Sequence, residues 1–203
     1  MISGRTEGIL YACQAARGEG MLIERHREKL LNAIVFFSKN TAKCGKTKLY
    51  KLLFLLDFEH FRQAGRSVTG MEYYAWKLGP VPTTLHEELD DPEPDLSERI
   101  AVTKESEFDL IRETIVPIRE FDEAHFSRRE LRLMSEIAER FRAHTAKEMV
   151  DVTHAVNAAW DKVWRGGEGR SQLIPYELAL SEEEREGIME LAAEHEEMKA
   201  NFR

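Results

Sequence analysis

Between residues 23 and 39, apolar positions recur at helical spacing, with Leu30, Ile34 and Phe37 on one stripe and Leu31 beside it. That spacing predicts an amphipathic helix. Asn40 to Gly45 interrupts the pattern, and a second helix is expected from about Thr47, or a neighbour acting as its cap, to about Gln63. Leu49, Leu52, Leu53 and Leu56 line one of its faces, and Tyr50, Phe54, Phe58 and Phe61 line another. A helix that is apolar on most sides is buried on most sides. This segment is therefore the expected centre of the core, ended by Gly65.

From Val68 to Leu78 the pattern changes to aromatic and β-branched residues, with Gly70 at a turn. Glu72 to Lys77 reads as a short strand that Gly79-Pro80 stops. Pro82 suits the first turn of a helix over Thr83 to Leu89, followed by a Pro- and Asp-rich loop from Asp90 to Pro94. Arg99 to Lys104 and Phe108 to Ile118 suggest a small hairpin, although Phe108, Ile111 and Ile115 also have helical spacing. Three capping-box pairs then mark helix starts: Ser127 with Glu130, Thr145 with Glu148, and Ser181 with Glu184. The first of these helices should bury Leu131, Met134, Ile137, Ala138 and Phe141. Trp160 and Trp164 lie on another helical turn, Gly166 to Gly169 is a loop, and the last helix is acidic.

These elements predict a mainly α fold: a compact helical domain with a small β-hairpin or short sheet, for which a winged-helix-like arrangement is one form. Three parts are expected: a loose arm over residues 1–20, ahead of a second candidate start at Met21; a domain over 21–166; and a C-terminal extension over 167–203 whose acidic helix packs on the domain. Leu52, Leu53, Leu56, Trp76, Leu131 and Ile137 should be buried.

Composition narrows the class. The chain has 203 residues, 42% hydrophobic and 33% charged, which fits a soluble globular protein. Its longest strongly apolar run, Leu52 to Leu56, is too short to span a bilayer. Two cysteines, Cys13 and Cys44, cannot build a disulfide framework or a zinc site alone, which points to a reducing cytoplasm. The net charge of −8 is unevenly spread. From Glu24 to Arg66 there are ten Lys/Arg against four Asp/Glu, and from Glu87 to Glu130 six against fifteen. Such asymmetry suits oriented association with a charged partner, or two solvated faces of opposite sign.

Catalytic and cofactor chemistry is weakly signalled. Asn40 to Thr47 ends like a phosphate-binding loop, but its first glycine is replaced by Asn40 and a helix precedes it instead of a strand. Asp57 and His60 are three apart on a helix, a spacing that can hold a metal, but no second copy accompanies them, and a polar stripe on a core helix explains them. His154, near Trp160, reads as a packed, hydrogen-bonded histidine. Glu87 and Glu88 look like a solvated helix end. No enzyme, metal or cofactor is expected. DNA binding would need basic residues on the second or third helix. The Lys39 to Lys51 stretch offers some, while the third helix carries Glu87 and Glu88, which phosphate would repel.

The run Lys48-Leu-Tyr-Lys-Leu-Leu-Phe-Leu-Leu-Asp57, followed by Val68-Thr-Gly-Met-Glu-Tyr-Tyr-Ala-Trp-Lys-Leu-Gly-Pro-Val-Pro82, resembles the SocA-like (Panacea-domain) antitoxin family. Leu85-His-Glu-Glu-Leu89, Thr145-Ala-Lys-Glu-Met149, and Thr153-His154 with Trp160 continue the likeness, which spans roughly residues 27–165. The resemblance implies a protein that binds and neutralises a toxin encoded beside it, in one branch by delivering the toxin to a Clp-type protease, with some members carried by prophages. A winged-helix-like DNA-binding regulator is the alternative.

An extended Tyr73-Tyr-Ala-Trp-Lys77 alternates its side chains, so that Tyr73, Ala75 and Lys77 share one face and Tyr74 and Trp76 the other. Trp76 is assigned inward, and Tyr73 and Lys77 outward toward a partner. Gly79 and Pro80, which close the aromatic segment, and His154 complete the candidate partner-binding set, against the plain alternative that the aromatics are all core.

Overall fold

The computed structural model describes residues 25–107, 110–155 and 158–201. The expected arm over residues 1–20, the start at Met21, Cys13 and Phe108 lie outside these residues. The described chain runs through α1 (His26–Asn40), α2 (Lys46–Ala64), β1 (Tyr74–Trp76), β2 (Gly79–Val81), α3 (Thr83–Glu88) and α4 (Pro94–Ser97). It continues through β3 (Ile100–Glu107), β4 (Leu110–Pro117), α5 (Arg128–Arg140), α6 (Ala146–Thr153), α7 (Ala159–Trp164) and α8 (Glu182–Asn201). The protein is mainly α, with two small antiparallel hairpins.

Helix α2 is the axis of the fold. Leu49, Leu52, Leu53, Leu56 and Phe58 are buried along it, and so are Lys48, Lys51, Asp57 and His60. Helices α1, α5, α6 and α8 and strand β2 all pack on it. Only a narrow stripe toward its C-terminal end, Glu59, Arg62 and Gln63, reaches solvent, so its buried polar residues must find partners inside. Lys48 Nζ donates to the carbonyls of Ala42 and Arg142, at 2.9 and 3.0 Å. The cap is Gly45, one position before the predicted region, a residue with no side chain to make a capping bond. At the other end Gly65 takes φ +64, and a Cβ there would stand 2.6 Å from the Ala192 amide. Glycine therefore both ends α2 and admits α8 at close range.

All three capping boxes form, at Ser127–Glu130, Thr145–Glu148 and Ser181–Glu184. On α5 the buried stripe is Leu133, Met134, Ile137 and Ala138, continued by Phe141 and preceded by Glu130. Leu131, expected inside, is only half-buried. It sits on the flank of a stripe whose phase is fixed by Glu130, which accepts from Lys29 Nζ at 2.6 Å and lies only 1% exposed.

The β segments form two separate sheets. Gly79-Pro80, expected to stop a strand, is itself the start of β2, paired with β1 through Tyr74–Val81 and Trp76–Gly79. On its other side β1 is flanked by a segment from far downstream. Ala75 N–H donates to Gln172 O at 2.9 Å, Ser171 N–H to Ala75 O at 2.8 Å, and Ile174 N–H to Tyr73 O at 2.8 Å. The β3–β4 hairpin packs on α1, and the Ile115 amide donates to Cys44 O at 2.8 Å. Helix α4, absent from the sequence expectations, is held beside α3 by Arg27 of α1, which donates at once to Glu88 and Asp95.

Candidate functional site

The Leu49–Leu56 core leaves one long cation inside. Lys51, 1% exposed, lies in the second turn of α2 among Leu49, Tyr50, Leu52 and Leu53. Its apolar stem suits that setting, but its ammonium does not. The Nζ donates to the Pro80 carbonyl of β2 at 2.7 Å. Burial pulls the Lys51 pKa down to about 7, with no carboxylate offsetting it.

The β1–β2 turn is built to reach this ammonium. Gly79 takes φ +96, and a Cβ there would come within 2.9 Å of both Lys51 Cε and Thr153 Oγ1. Only glycine combines that backbone angle with so close an approach. The two halves of the sequence pattern, the Lys-Leu helix and the Gly-Pro-Val turn, thus meet at one hydrogen bond.

Beside that contact opens a cleft of about 500 Å³, lined by Thr47, Tyr50, Lys51, Trp76, Val81 and His86, with Lys77, Leu78, Arg170 and Ser171 around it. The Tyr50 hydroxyl and His86 Nδ1 share a hydrogen bond of 3.1 Å. The Trp76 ring meets His86 edge-on at 5.1 Å. Behind β1, the Trp160 indole N–H donates to the Trp76 carbonyl at 3.0 Å, and the His154 ring stacks on Trp160 at 3.7 Å. Burial, then the nearby Lys51 charge, lowers the His154 pKa. His154 Nε2 is buried and finds no hydrogen-bond partner among the described residues, so the ring is packed on Trp160 without the hydrogen bond expected of that nitrogen.

Next to the cleft, across Thr47, lies a second depression lined by Lys43, Lys46, Lys104 and Lys147, with Glu113 the one acid among its lining residues. Lys46 pairs with Asp90.

The alternation predicted for the 73–77 segment holds over residues 73–76 with its faces reversed, and it stops at Lys77, which is exposed. Tyr73 and Ala75 are buried, at 1% and 0% exposure, while Tyr74 and Trp76 are half-buried. The outward placement of Tyr73 is therefore corrected, and so is the core placement of Trp76. The physical cause is Asp57 on α2, whose fully buried carboxylate needs donors. Its Oδ1 accepts the Val68 and Thr69 amides, each at 2.8 Å, and its Oδ2 accepts the Thr69 hydroxyl and, at 2.7 Å, the Tyr73 hydroxyl. Burial pushes the Asp57 pKa up, against these four donors. His60 is tied to the same turn, its Nδ1 lying 2.7 Å from Arg66 O. Asp57 and His60 are thus a polar stripe that anchors the 66–73 turn. Among the described residues no cluster of three or more His, Cys, Asp or Glu could hold a metal.

Of the candidate set, Lys77, Gly79, Pro80 and His154 gather around Lys51 and Trp76, whereas Tyr73 faces the opposite way, against Phe54, Phe58 and Tyr176. Sequence reasoning missed Lys51, Tyr50, His86 and Arg170. A lysine inside a helix apolar on both flanks is the signal that could have found the first. No such signal marks Arg170, which reaches the cleft only through the pairing of residues 171–174 with β1.

Among the described residues no helix is long and apolar enough to cross a membrane. No curated protein and no solved structure matches the chain. A family model described as Antitoxin SocA-like, Panacea domain, matches residues 49–161, from the start of the buried part of α2 into α7. The chain therefore belongs to the SocA-like antitoxin family, and the matched span contains Lys51, the Gly79-Pro80 turn and His154.

Proposed function

We propose that the protein is a binding module that neutralises a protein toxin encoded beside it, and that the toxin is met at the β1–β2 turn and the cleft behind it. Family membership supports the toxin partner. The observation that carries the choice of surface is Leu78, 61% exposed at the tip of a hairpin whose base is locked by Lys51 and Pro80. A rigidly held exposed tip is pre-organised for binding, and Tyr50, Trp76 and Arg170 in the adjoining cleft are the residue types enriched at interface anchors. Lys77 and Arg170 at the cleft, with Lys43 and Lys147 of the adjoining depression, favour an acidic contact surface on the partner.

The duplex-DNA alternative loses much of its cationic footing. In the Lys39 to Lys51 stretch, Lys39 pairs with Glu120 and Lys46 with Asp90, while Lys48 and Lys51 are buried on backbone carbonyls.

Co-expression with the product of the adjacent gene tests the reading. That product should arrest growth alone and be tolerated with this protein. A complex isolated with the toxin intact indicates direct blocking, whereas a shortened toxin half-life that depends on a Clp-type protease indicates an adaptor. Full toxicity in the presence of the folded protein would sink the proposal.

A further inference from the structure

The cleft holds a buried amino group that the fold provides with one acceptor and no counter-ion. The Lys51 ammonium has three donors, and the structure gives it one acceptor, the Pro80 carbonyl. The residues lining the cleft include no Asp or Glu, and Lys77 and Arg170 add two further cations at its rim. A buried cation without a counter-ion is costly unless something else supplies the negative charge. The remaining walls are aromatic and apolar: Tyr50, Trp76, Leu78, Val81 and His86. At about 500 Å³ the space is of small-ligand size. An occupant that brings a negative group to Lys51 and an apolar body to Trp76 therefore matches the lining.

We propose that this cleft binds an organic carboxylate carried on an apolar group, with the carboxylate at Lys51 and the apolar group against Trp76. Two sources have this chemistry: the C-terminal end of a partner chain whose last residue is apolar, and a free small acid. A carboxylate is favoured because it accepts from the ammonium while Thr47 and Ser171, also in the lining, supply hydroxyl donors. The proposal rests on reading this cleft as the partner-facing site, but its test needs no toxin, so the two can fail separately.

The full chain is titrated with N-acetylphenylalanine, which mimics a chain end, with its uncharged amide, and with phenylacetate, a free acid without the peptide group. Binding is read by calorimetry and by the indole N–H signal of Trp76 in a nitrogen-15 NMR spectrum. At least one acid should bind and move the Trp76 signal. The amide of N-acetylphenylalanine should bind about tenfold more weakly or not at all, the ratio expected when a charge-assisted hydrogen bond is lost. Preference for N-acetylphenylalanine points to a chain end, and preference for phenylacetate to a free acid. Lys51→Met should abolish the acid preference. If that variant does not fold, the acid-to-amide ratio on the unaltered protein decides alone. Equal binding of acid and amide, binding that leaves Trp76 unmoved, or no binding of either acid overturns the proposal.

Discussion

Lys51 Nζ lies 2.7 Å from the carbonyl oxygen of Pro80, which joins the N-terminal third of the central helix to the second strand of the β1–β2 hairpin. Twenty-nine residues separate the partners. Neither the burial of a lysine nor the positive φ of Gly79 makes sense without the other. The glycine lets the turn descend far enough for Pro80 to accept, and the acceptor is what makes the lysine tolerable inside.

The first prediction tests that dependence. Gly79→Ala must place a Cβ 2.9 Å from Lys51 Cε and from Thr153 Oγ1, at φ +96. We expect a loss of about 1–3 kcal/mol in urea unfolding. A loss below about 0.5 kcal/mol, the scatter of ordinary surface changes, would show that the turn relaxes without cost.

Titration of Lys51 gives a second. An unfolded lysine titrates near 10.4, whereas the folded group is pulled down to about 7 by burial. As pH falls between these values the unfolded chain takes up a proton that the folded chain refuses, so the folded state loses stability, and below about 7 the penalty is complete. Methionine carries no such penalty. The stability of Lys51→Met relative to the unaltered protein should therefore rise from pH 9.5 to pH 7, whatever its absolute value. Urea midpoints at the two pH values check the sign, and a change in the opposite direction refutes the burial of a titrating Lys51.

Tyr73 supplies one of the donors to the buried Asp57 carboxylate. Tyr73→Phe keeps the ring against Phe54 and Phe58 and removes only that donor. A buried acceptor that loses one charge-assisted bond should cost about 1.5–3 kcal/mol. Retention of full stability in thermal or urea unfolding would mean that the remaining donors satisfy Asp57 alone.

The partner surface predicts the reverse pattern. Lys77 and Leu78 are exposed at the hairpin tip. Changing Lys77 to Ala together with Leu78 to Asp should leave the thermal midpoint nearly unchanged and weaken toxin neutralisation in the co-expression assay. Unimpaired neutralisation by the folded double variant would move the interface elsewhere.

How much was legible in the sequence follows from how local each signal was. Ser127–Glu130, Thr145–Glu148 and Ser181–Glu184 announce helix starts because both partners of each box lie within one turn. The apolar encirclement of α2 likewise reads directly as a buried helix. Alternation along residues 73–76 correctly grouped the side chains but could not say which group turns inward, since that depends on Asp57, sixteen residues away from Tyr73. The Leu131 error has the same origin: Lys29 and Glu130, 101 residues apart, set the phase of α5. The wall formed by Arg170 and Ser171 was least legible, because residues 171–174 carry no alternation of their own and take their course from the edge of β1.

That last feature divides labour along the chain. Lys51, Tyr50, Trp76 and His86 of the cleft come from within the family-matched span, whereas Arg170 and Ser171 come from beyond its end at residue 161. A loop graft over residues 167–172 that leaves Ile174 in its buried place would retune what the cleft accepts, as a changed key-guard alters a lock without recutting its barrel.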